Sequence, residues 1–360
     1  MPRLILHTGT PKTGSTALQL FLRTNHEAFK ARGVALFDLS LTPQGGHQPL
    51  LWALFNGGDH PSAIEQREAL PGAIEAAGGR DLIVSGEGFA TANLGVGGAA
   101  AFERFRATFA AAGYEAETLT FVGDYRHVVA SSYAQRAKTL QATRSFDDEV
   151  RAMGPGGAYV ARHVEPIRAL GVRSHFLPFD AGLRARGIER AFLDWLGQDD
   201  AGLAFPERVN ERPGVVRVAA ALALAERHLR HREIVVAQAA RCGDAVERAC
   251  AAIVPDDPPY RPLTFTLARW LDRHNRPGAD VFAREVWGPD WGETFDATLP
   301  PTSTIDTVAD PERRAAQAAE VIAAAEGEVL RHIADGSLRE RFPSSPVIPP
   351  RKQLMGHDVF

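Results

Sequence analysis

The chain has 360 residues, 45% of them hydrophobic and 23% charged, with a net charge of −4. That length buries one large core or two modest ones, and the balance is that of a globular protein rather than a disordered one. The slight acidity excludes a global basic field that would attract nucleic acid or anionic membrane, so any anion site must be local. No run of about eighteen apolar residues exists to span a bilayer. Cys242 and Cys250 are the only cysteines. On one helix they stand roughly 12 Å apart, too far for a disulfide, and the residue spacing offers no zinc or other metal site. The first strand begins almost at Met1, which leaves no room for a signal peptide, so a cytoplasmic location is expected.

The short apolar run Leu4 to Leu6 predicts a buried parallel strand. Residues Gly9 to Thr16 follow as Gly-Thr-Pro-Lys-Thr-Gly-Ser-Thr, and from Ser15 the period turns helical, with Leu18, Phe21 and Leu22 on one side. Strand, glycine loop, helix is the arrangement that aims backbone N–H groups at a phosphate. Val34 to Phe37 predicts a second strand, and after the Gly45-Gly46-His47 turn Leu50 to Phe55 starts an apolar helix. A polar helix to Ala77, a strand over 81–85 opening into Gly86-Glu87-Gly88, and a helix over 99–112 stopped at Gly113 come next. A strand over 117–122 and a helix over 128–138 complete the alternation. Such βαβ repetition predicts an α/β fold with a P-loop-type parallel sheet flanked by helices, and ligands gathered at the carboxyl ends of its strands. Lys12, Glu87 and the 123–133 stretch should therefore share one edge.

The loop spacing is that of a nucleotide-binding P-loop with one change: Lys12 lies inside the loop, and Ser15 takes the usual lysine position. In this form it resembles the 5′-phosphosulfate-binding loop of the sulfotransferases that use 3′-phosphoadenosine 5′-phosphosulfate (PAPS). The resemblance implies that Thr10, Pro11, Lys12, Thr13, Gly14, Ser15 and Thr16 cradle the cofactor, with Lys12 on the bridging oxygen of the leaving group. A second stretch, from Phe121 to Gln135, is similar to the family's 3′-phosphate motif, in which an arginine ends a strand and a serine follows eight residues later. Ser131 holds the serine position, Ser132, Tyr133 and Gln135 match the form seen in bacterial members, and Gly123 stands where the arginine belongs. Arg126 is the expected substitute, with Arg136 and Arg144 as further candidates. The general base for the acceptor hydroxyl is expected at His47 or at Glu87, while His7 reads as a core histidine. The resemblance implies transfer of a sulfuryl group from PAPS, without a metal, to a hydroxyl of a carbohydrate or glycolipid acceptor. Two rivals stay open: a P-loop kinase using ATP and magnesium, with Asp124 as metal ligand, and a non-catalytic nucleotide-binding module.

Farther along, Ser145 caps a helix, a strand spans 172–177, and a helix runs through Trp195 to Gly197. Residues 215–253 read as one long alanine-rich helical stretch whose Glu226–Glu233 cluster is a solvated face or an acceptor surface. Trp287 and Trp291 lie in a loop that offers sugar stacking or a lid contact. A last helix spans 311–334, and the tail from Pro343 is proline-rich. The expected division is a catalytic α/β core over 1–210, a helical region over 211–340 and an irregular tail over 341–360.

Overall fold

A computed structural model describes residues 1–55, 58–86, 89, 98–152, 159–207, 212–230, 232–295, 311–336 and 338–340. The chain forms two compact units, each drawn from three separate stretches, and one of the crossings between them falls after residue 210. One collects residues 1–128, 157–210 and 272–298; the other collects 129–156, 211–271 and 299–360. The Tyr125–Lys138 and Phe265–Val286 helices are each divided between them.

The first unit is an α/β layer structure around five parallel strands: β1 (Arg3–His7), β2 (Val34–Leu36), β3 (Asp81–Ser85), β4 (Glu115–Val122) and β5 (Arg173–Pro178), in the order β2-β3-β1-β4-β5. β1 is central. Leu4, Ile5 and Leu6 are wholly buried because both faces of the strand are covered, which is why its sequence is a continuous apolar run rather than an alternation. Ile5 packs in a cluster with Leu18, Phe21 and Leu22 of the Ser15–Thr24 helix and with Ile188, Phe192 and Leu193 of the Ile188–Leu196 helix. Leu4 and Leu6 point to the opposite face by the strand's period of two. At the amino edge of the sheet Arg3 joins Asp81 of β3 to Glu117 of β4, at 2.7 and 3.2 Å. The expected strands and helices of this unit are present, with ends that shift by one to three residues.

The second unit is helical. The Val215–Leu229, Val236–Ile253 and Pro311–Ala334 helices bury an alanine-rich seam that includes Ala220, Ala221, Leu224, Ala245, Val246, Ala318, Val321 and Val329. The expected continuous helical stretch over 215–253 is interrupted: Arg232–Ile234 is a short strand, paired antiparallel with Leu338–Glu340. Cys242 and Cys250 are free and buried in this seam, and burial pushes their thiols up to about 11 and about 12. No helix among the described residues is long and apolar enough to cross a membrane.

Candidate functional site

The site is built at the carboxyl end of β1. The ladder between β1 and β4 runs on past the strand: Thr8 N–H donates to Leu119 O at 3.0 Å and Thr10 N–H to Phe121 O at 3.3 Å. Thr10 Oγ1 also donates to Phe121 O at 2.9 Å and accepts from Gly123 N–H at 3.4 Å. Thr13 Oγ1 donates back to Thr10 O at 2.7 Å. The loop is thus pinned to the neighbouring strand by its threonines, which are fully buried.

Two residues then take left-handed backbone, Lys12 with φ 66° and Gly14 with φ 86°. For glycine this costs nothing; for lysine it stores of order 1–2 kcal/mol. Backbone strain of this kind clusters at functional sites, and here it falls on an exposed cation. The Ser15–Thr24 helix begins directly after Gly14, with no side-chain cap and no acidic residue in its first turn. The helix dipole at this end therefore favours an anion, with the Ala17 N–H already donated to Gly14 O at 2.9 Å. Thr16 is exposed at this end, whereas Ser15 is 3% exposed. Pro11 is half-buried. The chemistry of the loop fits a phosphate or sulfate, with Thr16 the hydroxyl that faces outward.

Three expectations for the rest of the site need correction. His47 is wholly buried. Ser85 N–H donates to its Nδ1 at 3.0 Å, and its Nε2–H donates to Phe37 O at 2.8 Å. Both ring nitrogens are spent on backbone, and burial lowers its pKa. His47 clips the segment after β2 to the end of β3, and has no free nitrogen to act as a base. Arg126 is 4% exposed and locked on Asp124, with Nε 3.0 Å and Nη2 2.8 Å from Oδ2. Asp272 stands 3.9 Å from the same Nε and accepts from Tyr125 Oη at 2.7 Å. A guanidinium held this way is not presented to a 3′-phosphate. The same bidentate pair occupies Asp124, the metal ligand that a kinase would need.

At Gly123, where the related motif has its arginine, the packing is tight. A Cβ there would lie 2.9 Å from Val128 Cγ2 and 3.0 Å from Thr13 Cγ2, so a side chain at this position would force one of these two side chains to move. Ser131 belongs to the second unit and is half-buried on its helix. There Arg136 pairs with Glu149 at 2.5 Å and Arg144 is exposed. Glu87 lies outside the described residues. Trp291 is wholly buried and stacks on Tyr125 at 5.6 Å, while Trp287 Nε1 donates to Phe176 O at 2.8 Å. Trp291 is therefore a core ring, while Trp287 is half-buried with its ring nitrogen spent on backbone. In the second unit Arg227 and His228 both bond Glu326 at 2.7 Å, which neutralises part of the basic cluster.

The structure adds one feature that the motif did not announce. His7, the last residue of β1, is wholly buried and is not a satisfied core histidine. Its Nδ1 lies 2.7 Å from Ser85 Oγ, but its Nε2 has no partner among the described residues, and neither has Ser15 Oγ. Burial pushes His7 down to about 4. A histidine closing a strand that is buried on both faces was the available signal, since its polar ring must end inside the protein. Among the described residues no cluster of acidic, histidine or cysteine side chains is arranged to hold a metal. Comparison with protein-family models, with curated proteins and with solved structures finds no match to this chain.

Proposed function

We propose that the Gly9–Thr16 loop binds the 5′-phosphosulfate of PAPS and that the protein transfers the sulfuryl group to a hydroxyl of a carbohydrate or glycolipid acceptor. The observation that carries the reading is the loop itself: an exposed Lys12 in left-handed backbone beside an uncapped helix N-terminus, at the end of the central strand. In the reaction a base removes the acceptor hydroxyl proton, the acceptor oxygen forms a bond to sulfur, and the bond from sulfur to the 5′-phosphate oxygen breaks. The leaving oxygen gains negative charge, and the Lys12 ammonium offsets it. With His47 closed off, Glu87 is the remaining candidate for the base.

The test is transfer of labelled sulfate from PAPS to a panel of hydroxylated glycans. The Lys12→Ala variant should lose transfer by 100-fold or more, about 3 kcal/mol of transition-state stabilisation, with its melting temperature unchanged. Full activity in that variant would refute the assignment. A second reading, a PAP-binding module without turnover, is favoured by the tightly packed Gly123 position and the sequestered His47; binding of PAP with no transfer to any acceptor would establish it. The kinase is disfavoured by the Arg126–Asp124 pair.

A further inference from the structure

We propose that His7 is a positioning residue for the anion loop: its Nε2–H is the donor that holds the Ser15 hydroxyl with its own proton aimed at a phosphate or sulfate oxygen seated there. The inference rests on the reading of Gly9–Thr16 as an anion site and names the residues behind it.

The proposed direction of the hydrogen bonds rests on counting protons. Ser85 Oγ accepts from Gln19 Nε2–H at 3.2 Å and stands 2.7 Å from His7 Nδ1. Nδ1 is the acceptor within reach of the Ser85 hydroxyl proton in this pair of contacts, and that proposed direction puts the proton of a neutral His7 on Nε2. All four side chains of the series Gln19, Ser85, His7 and Ser15 are at most 4% exposed. Each donor points toward the loop, so every link polarises the next in the sense that favours negative charge at its end. The first two links are formed. The last is open: Nε2 of His7 and Oγ of Ser15 each lack a partner among the described residues. Both atoms face the α-carbon of Gly9, where a Cβ would come within 3.1 Å of Nε2 and 2.4 Å of Oγ. Any other residue at position 9 would fill the gap that separates them.

Buried polar atoms without partners are few in native proteins and costly. Two of them lie on the same side of Gly9, behind the loop, and are read in this proposal as a hydrogen bond that a bound anion completes. An anion that draws the Ser15 proton outward makes Oγ a better acceptor, and Nε2–H is the donor in place to supply it. His7 touches neither ligand nor reacting atoms in this scheme; it acts through Ser15.

The experiment is calorimetric titration of the full chain with PAP and, separately, with inorganic pyrophosphate, for wild type, His7→Leu, Ser15→Ala and the double variant. Each single change should weaken binding about tenfold, and the double variant should be no weaker than either single one, because both break the same link. Additive losses of about a hundredfold would overturn the proposal. His7→Gln, whose amide N–H can stand in for Nε2–H, should recover affinity to within about threefold of wild type. If affinity instead follows the melting temperature across the series, His7 is only structural and the proposal fails. Should His7→Leu not fold, Ser85→Ala removes the link behind it and should weaken binding in the same direction; unchanged affinity would count against the relay. Wild-type binding of pyrophosphate but not PAP would remove the nucleotide reading and leave the cycle on pyrophosphate to decide about His7. Binding of neither would overturn both.

Discussion

Acidification from pH 7 to pH 5 is expected to cost the α/β unit about 2 kcal/mol through His7 alone. The side chain is wholly buried, and desolvation pushes its pKa from 6.5 to about 4. Between those values the unfolded chain takes up a proton that the native protein refuses, so stability falls as pH falls. The contribution is complete above pH 6.5, is reduced by about 3 kcal/mol at pH 4, and changes little more below that, at about 1.4 kcal/mol for each pH unit within the window. Urea unfolding followed by tryptophan fluorescence is a suitable assay, because Trp52, Trp195, Trp287 and Trp291 all lie in this unit. The control is His7→Gln, which cannot titrate. His163, also pushed down to about 4, and His47 are common to both proteins and cancel in the comparison. The variant should lose about 2 kcal/mol less than wild type between the two pH values. Identical losses would show that His7 is not buried neutral and would refute the reasoning.

Three further outcomes follow from the packing around the loop. Asp124→Ala leaves the buried Arg126 guanidinium with Asp272, 3.9 Å away, as its remaining carboxylate and should destabilise by about 3 kcal/mol in denaturant unfolding; a loss below about 1 kcal/mol would mean the Arg126–Asp124 pair is solvated. His47→Leu strands Phe37 O and Ser85 N–H in the interior and should cost roughly 2–5 kcal/mol at pH 7. If His47 were a surface base instead, the fold would be unaffected. Gly123→Arg, which restores the arginine of the related motif, should lower the melting temperature and give no gain in PAP affinity, because Val128 and Thr13 crowd the position. Tighter PAP binding in that variant would contradict the packing.

Much of the α/β unit is legible in the chain because its signals are local. Leu4 to Leu6 is too short for a helix, Gly14 ends a turn that only glycine enters freely, and Leu18, Phe21 and Leu22 repeat at helical spacing. The second unit is less legible for a physical reason. The strand Arg232–Ile234 is defined by pairing with Leu338–Glu340, about a hundred residues away, and its own composition does not separate it from the helices on either side. The same limit applies to the site. Spacing locates the loop, and the resemblance marks the absent arginine at Gly123, His7 at the end of the first strand and His47 in the turn before a helix. Spacing cannot say that His47 spends both nitrogens on backbone, that Arg126 folds back on Asp124, or that the loop's own Thr13 crowds position 123. Those are facts of burial and approach between segments distant in the chain. His7 shows the converse: the plainest expectation, a core histidine, holds for its burial and fails for its hydrogen bonds.

The most direct test of the account is calorimetric titration of the purified full chain with PAP in metal-free buffer, beside ATP with magnesium. The account predicts one-to-one binding of PAP that needs no metal and is weakened by Lys12→Ala. Binding of ATP with magnesium and no response to PAP would contradict it.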